Sequence, residues 1–128
     1  IVGRLAALAL PAEGSLDAVL MALAYHDLFL TGEDRAAMNR AVFAALEPGG
    51  VFGIIDHAAA PGSGPGAAES LHRIDPAIVI EEIRAAGFTL ADQADFLRNA
   101  ADPHTAAVFD PSIMGNTDRF VLKFEKPR

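Results

Sequence analysis

Leu16 to Ala24 is an almost unbroken apolar run that closes on the polar trio Tyr25-His26-Asp27. The run reads as a strand covered on both faces, as in parallel sheets, while its alanines and methionine also admit a helix. Thr31 or Glu33-Asp34 can open the next element, because acids favour a helix N-terminus. Ala37, Met38, Ala41, Val42, Ala45 and Leu46 then recur at three-and-four spacing and give that helix one apolar face. Pro48-Gly49-Gly50 stops it, and Val51 to Ile55 is a β-rich run ending in Asp56-His57. Ala58 to Ala68, rich in glycine and proline, is expected to be a flexible loop. Asp75 and Pro76 have the types wanted at the cap and first position of a helix, Ile78, Val79, Ile83 and Ala86 form its stripe, and Gly87 closes it. Phe88 to Leu97 and Arg119 to Phe124 are the last two strands, and His104 and Asp110 in the connection between them serve turns. Ile1 to Leu10 is apolar and can close a strand or form a short helix. The order β-α-β-loop-α-β-β predicts an α/β fold ending in an antiparallel hairpin.

Composition narrows the partners more than the fold. At 128 residues and 52% hydrophobic, the chain is long and apolar enough for one packed core. A formal charge of −7 offers no basic patch, so nucleic acid is not an expected partner. No run of about eighteen apolar residues predicts a membrane-spanning helix. Cysteine is absent, which excludes disulfides and thiolate chemistry and leaves the redox compartment open. The start at Ile1, inside an apolar stretch, leads us to expect a fragment. The cytoplasm is the default compartment, with export left open because the true N-terminus is expected to lie upstream.

In open α/β sheets ligands bind beyond the carboxyl ends of the strands. Tyr25, His26 and Asp27 follow one strand, and Asp56 and His57 end the next, so parallel pairing brings all five to one edge. His72 and Arg73, beyond the loop, can lie over the same edge, with Arg73 as an anion anchor. His26 or His57 suits a general base, since imidazole titrates near neutrality. Asp27, Asp56 and His57 alternatively suit a divalent metal, and with it a metal-bound hydrolase. No G-x-S-x-G, P-loop or H-E-x-x-H pattern occurs.

Several segments resemble Rossmann-like, S-adenosylmethionine-dependent methyltransferases. Leu10-Pro11-Ala12-Glu13-Gly14-Ser15-Leu16-Asp17-Ala18-Val19 is similar to their lead into the fourth strand. Leu46-Glu47-Pro48-Gly49-Gly50-Val51-Phe52 is similar to their turn into the fifth, and Ala86-Gly87-Phe88 to the end of their last helix. Ala24-Tyr25-His26-Asp27-Leu28, Asp56-His57-Ala58-Ala59, Leu71-His72-Arg73-Ile74-Asp75 and Thr117-Asp118-Arg119-Phe120-Val121 look like a bacterial group of methyltransferases with no settled substrate.

The resemblance implies a seven-stranded sheet whose order ends four-five-seven-six, with the seventh strand antiparallel. This chain, residues 1–128, would then be a single partial domain lacking the N-terminal half. It implies that Ala24 and Tyr25 face the cofactor and that Tyr25, His26 and Asp27 face a small-molecule acceptor. Asp27 would orient the acceptor, His57 act as base, and Asp56, His72 and Arg73 contact substrate. In the catechol-type members an acid after the fourth strand and an Asp-Asn pair after the fifth hold magnesium. Asp27 and Asp56-His57 occupy similar places, with His57 departing from the Asn. The glycine-rich cofactor loop and the ribose-binding acid are absent, and Ala6 stands where an adenine-side acid is usual. Alone, the chain is expected to be inactive. The strand from Asp17 to Ala24 would also expose an apolar edge, a template for a homodimer. A non-catalytic dimerisation or docking module derived from a methyltransferase half is the rival expectation.

Overall fold

The computed structural model describes residues 9–128, so Ala6 and most of the Ile1–Leu10 segment lie outside the described residues. Strand β1 (Leu16–Ala22) leads through a 3-10 turn (His26–Phe29) and helix α1 (Arg35–Ala45) to β2 (Leu46–His57). Helices α2 (Gly66–Leu71) and α3 (Pro76–Ala85) follow, then β3 (Thr89–Ala94) and β4 (Arg119–Glu125). The sheet order is β1-β2-β4-β3. β1 runs parallel to β2, from Ala18 opposite Val51 to Ala22 opposite Ile55, and β4 is antiparallel to both β2 and β3. This is the expected partial sheet, with its terminal hairpin strand inserted beside β2.

Local chemistry sets the helix ends. The Asp34 carboxylate accepts from the Ala37 N–H at 2.9 Å, and Asp75 accepts from Ala77 N at 2.9 Å with Pro76 just inside α3. Each cap contributes about 1 kcal/mol. At the far end of α1, the Lys126 ammonium donates to the carbonyls of Phe43 and Leu46, both at 2.8 Å, and so satisfies acceptors the helix leaves open. Gly87 has φ +112, and a Cβ there would meet the Phe43 ring at 3.0 Å, so only glycine turns the chain off α3 here.

The core lies on one face of the sheet. Phe52, Ile54, Phe120, Leu122 and Phe124 are buried with Met38 and Val42 of α1 and Val79 and Ile83 of α3. Phe88, just before β3, stacks edge-on to Phe43 at 5.0 Å and tilts against Phe52 at 5.6 Å. Each such side chain contributes about 1.5–3 kcal/mol by leaving water.

Two sequence expectations change. Among the described residues β1 is not covered on both faces: Leu20 is 69% exposed, because β1 is the edge of the described sheet and Leu20 pairs with Gly53, which has no side chain. Nor is Ala58–Ala68 loop throughout. Buried Ala67 and Ala68 belong to α2, and Ile74 closes back on β2 through Ile74 N to His57 O (2.9 Å) and Ala59 N to Ile74 O (3.0 Å). That return brings His72 and Arg73 to the end of the sheet.

Candidate functional site

Parallel pairing opens the carboxyl ends of β1 and β2 at one edge. Leu23, at φ +56 with its N–H on Ile55 O (2.7 Å), turns the chain out of β1. The 3-10 turn then carries His26 across the end of β2.

Asp56 joins the two ends. It is fully buried, and its Oδ2 accepts from His26 N (2.8 Å) while Oδ1 accepts from His26 Nδ1 (2.7 Å) and His57 N (2.8 Å). The sequence reading gave Asp56 a substrate contact. The structure spends its oxygens on positioning both histidines instead.

His26 is itself 4% exposed, and its Nε2 faces Asp27 Oδ1 at 3.1 Å. Burial alone would lower its pKa, but the hydrogen bond and charge of Asp56, then the charge of Asp27, outweigh burial and raise it above 6.5. His57 is half-buried, with Nδ1 on Thr117 Oγ1 at 2.7 Å and its ring 5.9 Å from that of His26. Burial lowers the His57 pKa; the opposing pull of Asp56 is outweighed once His26, Arg119 and Arg73 add to it. His72 caps α2 in a left-handed conformation, its ring 5.6 Å from His26 and 5.4 Å from the exposed Phe109. Its Nδ1 lies 3.9 Å from Asp27 Oδ1.

Two other expected residues point elsewhere. Tyr25 is fully buried, its hydroxyl accepting from Asn39 Nδ2 at 3.0 Å and donating to Glu82 at 3.4 Å. Burial pushes its phenol pKa well above the ordinary value. Glu82 in turn takes Arg35 through both oxygens, at 3.0 and 2.8 Å, so the Tyr25 hydroxyl belongs to the α1–α3 junction rather than to the β1–β2 edge. Arg73 is also fully buried. Its Nη1 and Nη2 donate to Asp102 at 2.7 and 3.1 Å, Nη1 also reaches Ala58 O (3.0 Å), and Nε reaches Ala106 O (3.0 Å). It ties the long connection to the end of β2 and, being fully buried, presents no face to a substrate anion in solvent.

The expected metal set of Asp27, Asp56 and His57 does not converge, since Asp56 turns inward. Ligand atoms of His26, Asp27 and His72 do, all within 4.8 Å of one another. Thr117, Asp102 and Phe109 carried no role in the sequence reading. Each acts across more than twenty residues on His57, Arg73 or His72, a distance at which spacing gives no signal.

No family model and no curated protein matches the chain. Solved structures do. A Haloferax volcanii complex between the Trm112 methyltransferase activator and a methyltransferase superposes with TM-score 0.67 at 19% identity, covering 100% of this chain and 60% of that one. The (4+2)-cyclase SpnF gives TM-score 0.67 at 19% identity, covering 98% and 54%. An S-adenosylmethionine-dependent methyltransferase from Mesorhizobium loti gives 0.62 at 18%, covering 96% and 67%. The chain has the methyltransferase fold, in part. It spans little more than half the length of the first two structures.

Within that fold, Ala24 borders a cavity of about 320 Å³ beside β1. Its walls are apolar, including Leu10, Val19, Met21, Met38 and Val42. They offer no partner for ribose hydroxyls, an adenine edge or a carboxylate. The side chains lining this cavity therefore do not by themselves fit S-adenosylmethionine, and the ionisable groups lie at the β1–β2 end instead.

Proposed function

We propose that the chain is the acceptor-side part of an S-adenosylmethionine-dependent methyltransferase acting on a small molecule. The observation that carries this reading is the His26–Asp56–His57 arrangement at the carboxyl edge of two parallel strands, within a methyltransferase fold. In the tautomer that donates Nδ1–H to Thr117, His57 Nε2 is the base that accepts a proton from the acceptor's O–H or N–H. His26, held by Asp56, lines the acceptor side with Asp27 and His72. Contacts to the cofactor fall to the part of the fold that this chain does not share with its structural neighbours.

The test is to read the coding DNA upstream of Ile1 in frame and titrate S-adenosylhomocysteine into the extended polypeptide. A strand, a glycine-rich turn and an acid-ended strand upstream, with micromolar binding, are expected. The chain alone should bind at least about a hundredfold more weakly, as suits loss of most polar contacts. An extension that binds nothing refutes the reading.

A second reading, a docking module, is favoured by the exposed Leu20 on edge strand β1. The cyclase neighbour is a reminder that one fold serves several chemistries. In this reading the chain pairs with a second copy through β1. Light scattering should then show mass rising with concentration, and Leu20→Lys should return the monomer. A monodisperse wild-type monomer at every concentration removes this second reading.

A further inference from the structure

We infer that His26, Asp27 and His72 form a binding site for a divalent transition-metal cation of the zinc class. The inference stands on side-chain geometry and does not depend on methyl transfer.

The first support is the fixed direction of one ligand. Asp56, fully buried, accepts from His26 Nδ1 at 2.7 Å and so turns the Nε2 lone pair outward. A buried carboxylate behind an imidazole is the arrangement that orients metal-binding histidines and raises their basicity. The second support is the convergence in front of it. Nε2 meets Asp27 Oδ1 at 3.1 Å, and two electron-rich atoms at that separation need a positive centre between them. A proton would satisfy that pair alone. His72 Nδ1, 3.9 Å from the same Asp27 oxygen, adds a third donor atom that a proton does not require and a cation does.

Distances and mobility agree with this assignment. Zinc-ligand bonds of about 2.0–2.2 Å place neighbouring ligand atoms roughly 3–3.5 Å apart. The His26–Asp27 separation is already in that range, and the His72–Asp27 separation is slightly beyond it. The adjustment falls on exposed Asp27 and half-buried His72, whose side chains are 52% and 34% exposed against 5% for His26. One anchored ligand and two adjustable ones close on an ion without disturbing the core.

Ligand type selects the metal. Two imidazoles and one carboxylate favour zinc, cobalt, nickel or ferrous iron over magnesium or calcium, and they leave open positions on the solvent side. This differs from the all-oxygen magnesium arrangement and uses Asp56 as support, not as a ligand. The open positions lie beside His57, whose ring is 5.9 Å from that of His26.

The test is a metal titration of the full chain. Cobalt(II) should bind one equivalent, read by its visible absorption, and zinc(II) should displace it while excess magnesium does not. Asp27→Asn and His72→Ala alter surface side chains and should each weaken zinc binding at least about tenfold, with Asp56→Asn weakening it roughly 10–100-fold. His104→Ala, whose ring bonds Asp118 elsewhere, should leave affinity unchanged. Absence of stoichiometric binding to the wild type overturns the inference. So does binding that survives both Asp27→Asn and His72→Ala at full strength. A failure of S-adenosylhomocysteine to bind the extended polypeptide would leave the metal result standing, so the two readings fail separately.

Discussion

Arg73→Ala is expected to cost about 3–5 kcal/mol of folding stability, the range for removing one partner of a buried ion pair. The guanidinium and the Asp102 carboxylate both lie at 0% side-chain exposure. Removing it strands a buried carboxylate and takes away the donor from the carbonyls of Ala58 and Ala106. Domains are stable by only about 5–15 kcal/mol, so the loss takes a large share of the total. Arg73→Lys should recover part of it, because an ammonium keeps the charge but cannot reproduce the paired fork. The measurement is the urea midpoint at constant slope. A loss under about 1 kcal/mol would mean that water replaces the guanidinium.

Acid supplies an independent check. Burial by itself would raise the Asp102 pKa, but hydrogen bonds from Arg73, Asp118 N and His104 N outweigh it and hold the carboxyl below its ordinary 3.8. Asp118 is likewise held down against burial, by His104, Asn99 N and Arg98. A depressed folded-state pKa gives stability that is complete above the unfolded value and lost as pH falls through the folded one. The gap between wild type and Arg73→Ala should therefore be constant near neutrality and narrow below about pH 4.

His57→Ala, made in the extended polypeptide, is expected to lower turnover by about 10²–10⁴-fold, the usual contribution of a positioned general base. Its side chain is half-buried and bonds Thr117, so folding should be affected far less than rate. S-adenosylhomocysteine affinity should be unchanged, because the proposed function puts the ring on the acceptor side. Unchanged turnover would take His57 out of the chemistry.

The helix start at Asp75 was legible because capping is a local transaction, completed within three residues. The first helix was placed only to Thr31 or Glu33-Asp34, and Asp34 proves to be its cap. The strand order was legible only through family resemblance, since no periodicity says that β4 enters between β2 and β3. The meeting of His26, Asp56 and His57 followed from parallel strands ending together. The Tyr25 hydroxyl and the Arg73 guanidinium are turned away from the β1–β2 edge for a common reason. Each is a polar side chain whose burial depends on partners far along the chain, Asn39 and Glu82 for one and Asp102 for the other. A lone polar residue beside a strand end therefore reads as a site contact until those partners are visible. The Leu16–Ala24 run differs, because unbroken apolarity reports a demand for cover on both faces while the described residues supply it on one.

The position of β4 carries a consequence for biosynthesis. The last strand in chain order sits inside the sheet between β2 and β3, so nothing joins those two strands in one sheet until Arg119–Glu125 has been made. A nascent chain carries Phe52 and Ile54 without the Phe120, Leu122 and Phe124 that complete their layer. Vectorial synthesis thus yields a parallel β1–β2 pair with a vacant flank, and cooperative closure waits for the final element. A ribosome stalled before Arg119 would hold a chain whose apolar flank is open to chaperones or to sticking against its neighbours.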